Sequence, residues 1–326
     1  MPIAPLLLPI LAFAASNAPA PSHDLHARFE ADLVHLDAPL AHGGTVHFYT
    51  DSGGGLFLTE AAVERLGLST LALPAGSDAP PGARGVGWPA FRDAAIPAPP
   101  GDGIVPVMPT DPKAPAWIDW DGMLGQGWFG GHVWTWDYPA KRLVLEGDGW
   151  KPTADATRVA LGFKAGADGA RETNFPRITV RIDGRAVDLL LDTGATTRLT
   201  PAALKALGDG GPAVRATSMI ADVQFKAWRA AHPDWRVIED AQEQTHAAMI
   251  EVPSVEIAGH AIGPVWFTWR PDRAFHEFMS GMMDAKVEGA LGGNALRHFA
   301  MTVDYPGGAA WFRCSAGCKV TPRPAP

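Results

Sequence analysis

Two stretches of the chain alternate apolar and polar positions with the period of a β-strand and then end on an aspartate. They are TVHFYTD, residues 45–51, and AVDLLLD, residues 186–192. The two-residue period predicts a strand in each stretch. A carboxylate at the end of a buried strand is costly unless a partner compensates it. We therefore expect Asp51 and Asp192 to be either turn residues or the two halves of one catalytic device.

A short helix is predicted behind each of these strands. Thr59 and Thr200 stand where an N-cap hydroxyl is needed. Pro201 suits the first helical position of the second segment. Gly67 and Gly208 follow at the positions where the helices should end. The predicted local structure is therefore the same in both halves of the chain.

The two halves are copies of one unit. DSGGGLFLTEAAVERLG, which starts at Asp51, and DTGATTRLTPAALKALG, which starts at Asp192, share eight of seventeen residues without a gap. Downstream, DGMLGQGWFGGHVWTWDYP from Asp121 and EGALGGNALRHFAMTVDYP from Glu288 share seven of nineteen. The first pair is offset by 141 residues and the second by 167, so the second copy carries about 26 extra residues. Repetition in matched order indicates a duplicated fold.

Composition narrows the class of protein. The chain has 326 residues, of which 47% are apolar and 19% charged, so it can bury large cores. Its Pro and Gly are abundant and dispersed, which favours a loop-rich β protein. The net charge of −8 argues against nucleic acid as a partner, because phosphate binding needs a basic face.

The repeated motifs resemble those of retropepsin-like aspartic proteases. RITVRIDGRAVDLLLDTGATT and GALGGNALRHFAMTVDYP are the stretches most similar to that family. The similarity covers residues 30–150 and 155–315. It implies a mainly β fold made of two closed, barrel-like lobes in tandem, related by a pseudo-two-fold axis as in bilobal pepsin-like enzymes. An insertion in the second lobe is expected at about residues 210–285.

The resemblance implies that Asp51 and Asp192 form a catalytic dyad around one water molecule. Two carboxylates about 3 Å apart repel by roughly 5 kcal/mol at an effective dielectric constant near 20, so they share one proton. The dyad of aspartic proteases is itself a standard example of this effect. Supporting residues follow each aspartate. The hydroxyls of Ser52 and Thr193 would cross-link the two loops, and Gly53 and Gly194 would let the backbones approach.

The expected activity is that of an aspartic endopeptidase that acts on peptide or protein substrates as a monomer, without a metal or organic cofactor. Two alternatives stay open because the first copy has diverged to Asp-Ser-Gly-Gly-Gly. One is a catalytically weak, protease-like peptide-binding protein. The other is a protease active only through dimerised C-terminal lobes. Trp88 is a candidate for a flap residue over the cleft, or else a core residue.

The two ends of the chain bear on its location in the cell. Residues 1–20 contain an apolar core followed by small residues, which predicts a signal peptide and a periplasmic or secreted protein. No other apolar run is long enough to cross a membrane. Cys314 and Cys318 are expected to pair in an oxidising compartment, with a two-ligand metal site as the alternative.

Overall fold

A computed structural model describes residues 20–73, 82–109 and 119–320. Within these ranges the protein is mainly β, as predicted. The predicted signal peptide, residues 1–20, lies outside the described residues except for its last position. In the part of the chain that is described, no helix has the length and apolar character needed to cross a bilayer.

The described elements follow one another in chain order. In the first half they are β1 (His23–Asp24), β2 (Arg28–Glu30), β3 (Leu33–Pro39), β4 (Thr45–Thr50), β5 (Phe57–Thr59), α1 (Glu60–Arg65), β6 (Thr70–Ala72), β7 (Arg84–Gly87), β8 (Ile104–Met108), β9 (Gly122–Leu124), α2 (Gln126–Phe129), β10 (Val133–Asp137) and β11 (Arg142–Leu145). In the second half they are β12 (Thr157–Ala160), β13 (Arg177–Ile182), β14 (Arg185–Leu191), β15 (Thr196–Arg198), α3 (Pro201–Leu207), β16 (Val214–Ala216), β17 (Ser218–Ala221), α4 (Asp222–Ala231), β18 (Val237–Ile238), β19 (Met249–Val252), β20 (Val255–Ile257), β21 (His260–Ile262), β22 (Val265–Arg270), a π-helix (Arg273–Met279), β23 (Gly289–Leu291), α5 (Gly293–Leu296), β24 (Phe299–Asp304), β25 (Ala309–Cys314) and β26 (Lys319–Val320).

The local predictions for the helix ends are confirmed. The Thr59 hydroxyl accepts a hydrogen bond from the N–H of Ala62 at 3.2 Å. The Thr200 hydroxyl accepts one from the N–H of Ala203 at 3.1 Å. Gly208 ends α3 in the left-handed conformation with φ of 66°, which a residue without Cβ adopts freely.

The duplication is visible in the order of the strands. The first half contains the sheet order β3-β4-β9-β5-β8-β7, and the second contains β13-β14-β23-β17-β22-β19. Strand directions also match, since β4–β9 and β14–β23 are both parallel while β5–β9 and β17–β23 are both antiparallel. The aspartate-bearing strands β4 and β14 therefore occupy equivalent interior positions in their sheets.

The prediction of closed barrels is wrong. The first sheet starts at β2 and ends at β6, and the second starts at β18 and ends at β26, with no pairing between those edges in the described ranges. A barrel closes only when its two edge strands pair. These edge strands are two or three residues long and offer too few ladder hydrogen bonds to do so.

A third sheet joins the two halves, in the order β1-β11-β10-β24-β25-β12. Its central pair is β10 and β24, which run antiparallel with Thr135 directly opposite Thr302. Their hydroxyls are hydrogen-bonded at 2.7 Å. These two threonines hold the same position in the repeated sequence motif, so the repeat pairs with itself at this point.

Strand pairing places most of the extra residues of the second half earlier in the chain than the expected range of 210–285. β5 begins 6 residues after Asp51, whereas its counterpart β17 begins 26 residues after Asp192. Twenty of the approximately 26 extra residues therefore lie before β17, as β15, α3 and β16. A consequence is that α1 corresponds in topology to α4, although its sequence aligns with that of α3.

Candidate active site

Both aspartates stand directly after the strands that carry them, and each is tied to the second repeated motif. The N–H of Asp51 donates to the carbonyl of Leu124 at 2.9 Å, and the N–H of Asp192 donates to that of Leu291 at 3.0 Å. Glycine follows the leucine in both motifs, as Gly125 after Leu124 and as Gly292 after Leu291. A Cβ at Gly125 would lie 2.1 Å from a loop carbonyl oxygen, so only glycine allows this approach.

The two loops are cross-linked beneath the aspartates by the predicted hydroxyls. The N–H of Ser52 donates to Thr193 Oγ1 at 3.1 Å, and the N–H of Thr193 donates to Ser52 Oγ at 3.0 Å. Ser52 Oγ also donates to the carbonyl of Leu191 at 2.7 Å. Both side chains are buried, so these bonds are shielded from competition with water.

Each aspartate packs against the glycine of the opposite loop. A Cβ placed on Gly194 would lie 2.3 Å from Cγ of Asp51. One placed on Gly53 would lie 2.7 Å from Cγ of Asp192. Within each loop the glycine N–H donates to its own aspartate, at 2.8 Å for Gly53 and 3.0 Å for Gly194. The structure thus brings together all six residues that the sequence assigns to the site.

The environment of the two carboxyls makes them unequal. Burial raises the pKa of Asp192 well above its ordinary value, and the charge of Asp51 and a hydrogen bond to Asp51 raise it further. Burial also raises the pKa of Asp51, but the hydrogen bond from Asp192 and backbone N–H donors, those of Gly53, Gly194 and Gly54, oppose the rise. The two carboxyls therefore titrate as one interacting pair, in which the pKa of Asp192 is raised more strongly than that of Asp51.

A cavity of about 530 Å³ opens beside Asp51. Apolar side chains from both halves of the chain line it, among them Leu33, Trp120 and Val214. Both aspartates are themselves partly exposed. The cavity gives a large apolar group access to the carboxyl of Asp51.

Tyr49 is a site residue that the sequence reasoning missed. It lines the cavity, and its hydroxyl donates to the carbonyl of Gly194 at 2.6 Å. Its ring stacks on Trp120 with the centroids 6.1 Å apart. The only signal in the sequence is its position two residues before Asp51, where the second copy has Leu190.

Trp88, the candidate flap residue, instead packs in the core. Its ring stacks on Phe48 at 6.0 Å and meets the edge of Phe91 at 5.3 Å. It is only partly exposed and does not line the cavity beside Asp51. We therefore assign Trp88 to the hydrophobic core.

The two cysteines are joined in a disulfide, as predicted. No histidine lies close to them in the sequence, but the fold brings in His260. One ligand atom from each of His260, Cys314 and Cys318 lies within 4.8 Å of the others. The disulfide occupies both sulfurs, so these atoms hold no metal in the oxidised protein.

No protein-family model matches the chain, and no curated protein matches it.

Proposed function

We propose that this protein is an aspartic endopeptidase, similar to the retropepsin-like enzymes, in which Asp51 and Asp192 activate a water molecule. The observation that carries the proposal is that the two carboxyls meet at the junction of two cross-linked loops, each packed against the glycine of the opposite loop. Ionisable pairs with strongly separated proton affinities in a cleft are typical of acid–base catalysis.

The unequal carboxyls have distinct roles in this mechanism. Ionised Asp51 takes a proton from water, and the resulting hydroxide attacks the carbonyl carbon of the scissile peptide bond. Protonated Asp192 donates its proton to the carbonyl oxygen as the tetrahedral intermediate forms. Asp51 then gives the proton that it took from water to the departing nitrogen, and the C–N bond breaks as a hydroxyl of the intermediate returns a proton to Asp192, which restores the starting state of both carboxyls. No covalent bond to the enzyme is formed, and no metal or organic cofactor is required.

We also propose that the two halves are lobes related by a pseudo-two-fold axis, as in pepsin-like enzymes. The repeated strand order supports this, and so does the pairing of Thr135 with Thr302 across the joining sheet. A single chain supplies both aspartates, which favours a monomer over dimerised C-terminal lobes.

The substrate we propose is a peptide or an unfolded protein segment. The cavity beside Asp51 accommodates a bulky apolar side chain, while the acidic net charge disfavours nucleic acid. We place the enzyme in the periplasm or outside the cell. The Cys314–Cys318 disulfide supports an oxidising compartment, as does the apolar segment at residues 1–20.

The decisive experiment compares the wild-type protein with Asp51→Asn and Asp192→Asn on a fluorogenic peptide library, from acidic to neutral pH. We expect hydrolysis by the wild type, its inhibition by pepstatin, and its loss in both variants. Activity that survives only Asp51→Asn would support the dimerised C-terminal lobes instead. Peptide binding without hydrolysis at any pH would support the peptide-binding alternative.

A further inference from the structure

A phenol from the first half of the chain reaches the aspartate loop of the second half. The Tyr49 hydroxyl donates to the carbonyl of Gly194 at 2.6 Å and also contacts the hydroxyl of Thr196. The Thr196 hydroxyl donates to the same carbonyl at 2.8 Å. Since each hydroxyl has one proton to give, the Gly194 carbonyl is the shared acceptor of a three-oxygen cluster.

This carbonyl belongs to a residue that itself contacts the dyad. The N–H of Gly194 donates to Asp192 Oδ1 at 3.0 Å, and the N–H of Ala195 donates to the main-chain carbonyl of Asp192 at 3.4 Å. Glycine has no Cβ and turns more freely about its backbone bonds than other residues, so a bond that holds its carbonyl also restricts the direction of its N–H. The Tyr49 hydroxyl is therefore connected to the Asp192 carboxyl through one glycine residue.

The connection exists on one side of the dyad only. The position equivalent to Tyr49 in the second copy is Leu190, a buried residue that has no hydrogen-bonding side chain. The Tyr49 ring is 6% exposed and stacks on Trp120 with an interplanar angle of 14°, which restricts the hydroxyl to this direction. The two otherwise similar loops are thus supported differently.

We propose that Tyr49 is a positioning residue of the dyad, which holds Gly194 so that the N–H of this glycine stays on the carboxyl of Asp192. A hydrogen bond from an N–H favours the ionised carboxylate, so this contact keeps the Asp192 proton available for transfer. The kinetic consequences rest on the proposed peptidase function, whereas the effect on Asp192 itself is measurable without activity.

Removing the hydroxyl leaves the charged surroundings of Asp192 unchanged. The charges that act on it are the carboxylate of Asp51, from the opposite loop, and the guanidinium of Arg270, from β22. Tyr138, another phenol near Asp192, is neutral because burial raises its pKa. Loss of the Tyr49 hydroxyl should therefore act through Gly194 alone, and it should raise the pKa of Asp192.

The test is Tyr49→Phe, with Tyr138→Phe as the matched control. The control makes the same chemical change on a buried phenol whose oxygen has no hydrogen-bond partner among the described residues. For Tyr49→Phe we expect about a tenfold fall in kcat with KM changed by less than about twofold, as for loss of one hydrogen bond. The alkaline limb of the pH profile should move to higher pH, while the control should match the wild type.

A second readout is independent of catalysis. The carboxyl carbon of Asp192 is titrated by ¹³C NMR, with Asp192→Asn providing the assignment. An upward shift of this titration in Tyr49→Phe alone supports the inference even if the wild type hydrolyses no peptide, an outcome that would reject only the proposed function. An unchanged titration and pH profile, or a change confined to KM, overturns the inference. Should Tyr49→Phe fold poorly, Thr196→Val removes the second donor and must shift the titration in the same direction.

Discussion

Replacement of Gly194 by alanine is the sharpest perturbation of the proposed dyad. The change keeps the backbone N–H that donates to Asp192 and adds a single methyl group. That methyl carbon would lie 2.3 Å from Cγ and 2.7 Å from Oδ1 of Asp51. Because Gly194 does not have a positive φ, alanine fits its backbone conformation, and the effect is steric.

The size of the effect follows from this distance. An ordinary van der Waals contact begins at 3.4 Å, so the Asp51 carboxyl must move by about 1.1 Å. A misplacement of about 1 Å in a catalytic constellation can lower a rate by about 100-fold. We therefore expect Gly194→Ala to reduce kcat/KM on the fluorogenic peptide library by at least about 100-fold. The fold should persist, because overpacking typically costs only about 1–3 kcal/mol.

Gly55→Ala is the matched control in the opposite loop. Its new methyl carbon meets nothing closer than Phe57 at 4.0 Å, so activity should stay close to that of the wild type. Both variants are assayed for hydrolysis and for thermal unfolding followed by Trp fluorescence. Near-normal hydrolysis by folded Gly194→Ala, or an equal loss in Gly55→Ala, would refute the placement of Asp51 against the second loop.

Three further predictions concern stability. Ser52→Ala should lower the free energy of unfolding in urea by about 1–3 kcal/mol, because the buried N–H of Thr193 and the carbonyl of Leu191 both lose their hydrogen bond to Ser52 Oγ. Ser52→Thr, which introduces the residue of the second copy, should lower it less. Equal values for the two variants would contradict this expectation. Because the pKa of Asp192 is raised in the folded state, the native protein releases this proton at a higher pH than the unfolded chain does. The free energy of unfolding of the wild type should therefore fall as the pH rises above the ordinary carboxyl range. Asp192→Asn should therefore melt higher than the wild type at neutral pH and lose that advantage in acid, and a lower melting temperature at neutral pH would count against the shared proton. Thr135→Val and Thr302→Val should show a coupling energy of about 0.5–1 kcal/mol in a double-mutant cycle of unfolding, and strict additivity would rule out the bond between the two halves.

Most residues of the candidate site could be predicted from the sequence because they lie in short motifs that occur twice in the chain. Asp51 and Asp192 each end an alternating strand, and the glycine two residues later is required by the close approach of the opposite loop. The hydroxyl between them, on Ser52 or Thr193, recurs at the same spacing. Internal repetition turned two weak signals into one specific pattern.

Other features could not be predicted because they depend on contacts between distant segments. Tyr49 joins the site only because its hydroxyl meets Gly194, 145 residues away. His260 approaches the cysteines only through strand pairing near the end of the chain. Alignment of α1 with α3 was misleading, since helix caps follow local sequence while topology follows strand pairing.

The sequence by itself determined the duplicated mainly β fold, the helix caps and the residues of both aspartate loops, because these depend on side-chain period and short-range hydrogen bonding. Only the tertiary structure decided that the sheets stay open, that most of the extra residues precede β17, and that the pKa of Asp192 is raised more strongly than that of Asp51. The pKa of a buried carboxyl depends on what surrounds it in space, and an aspartate's neighbours along the chain do not reveal those contacts.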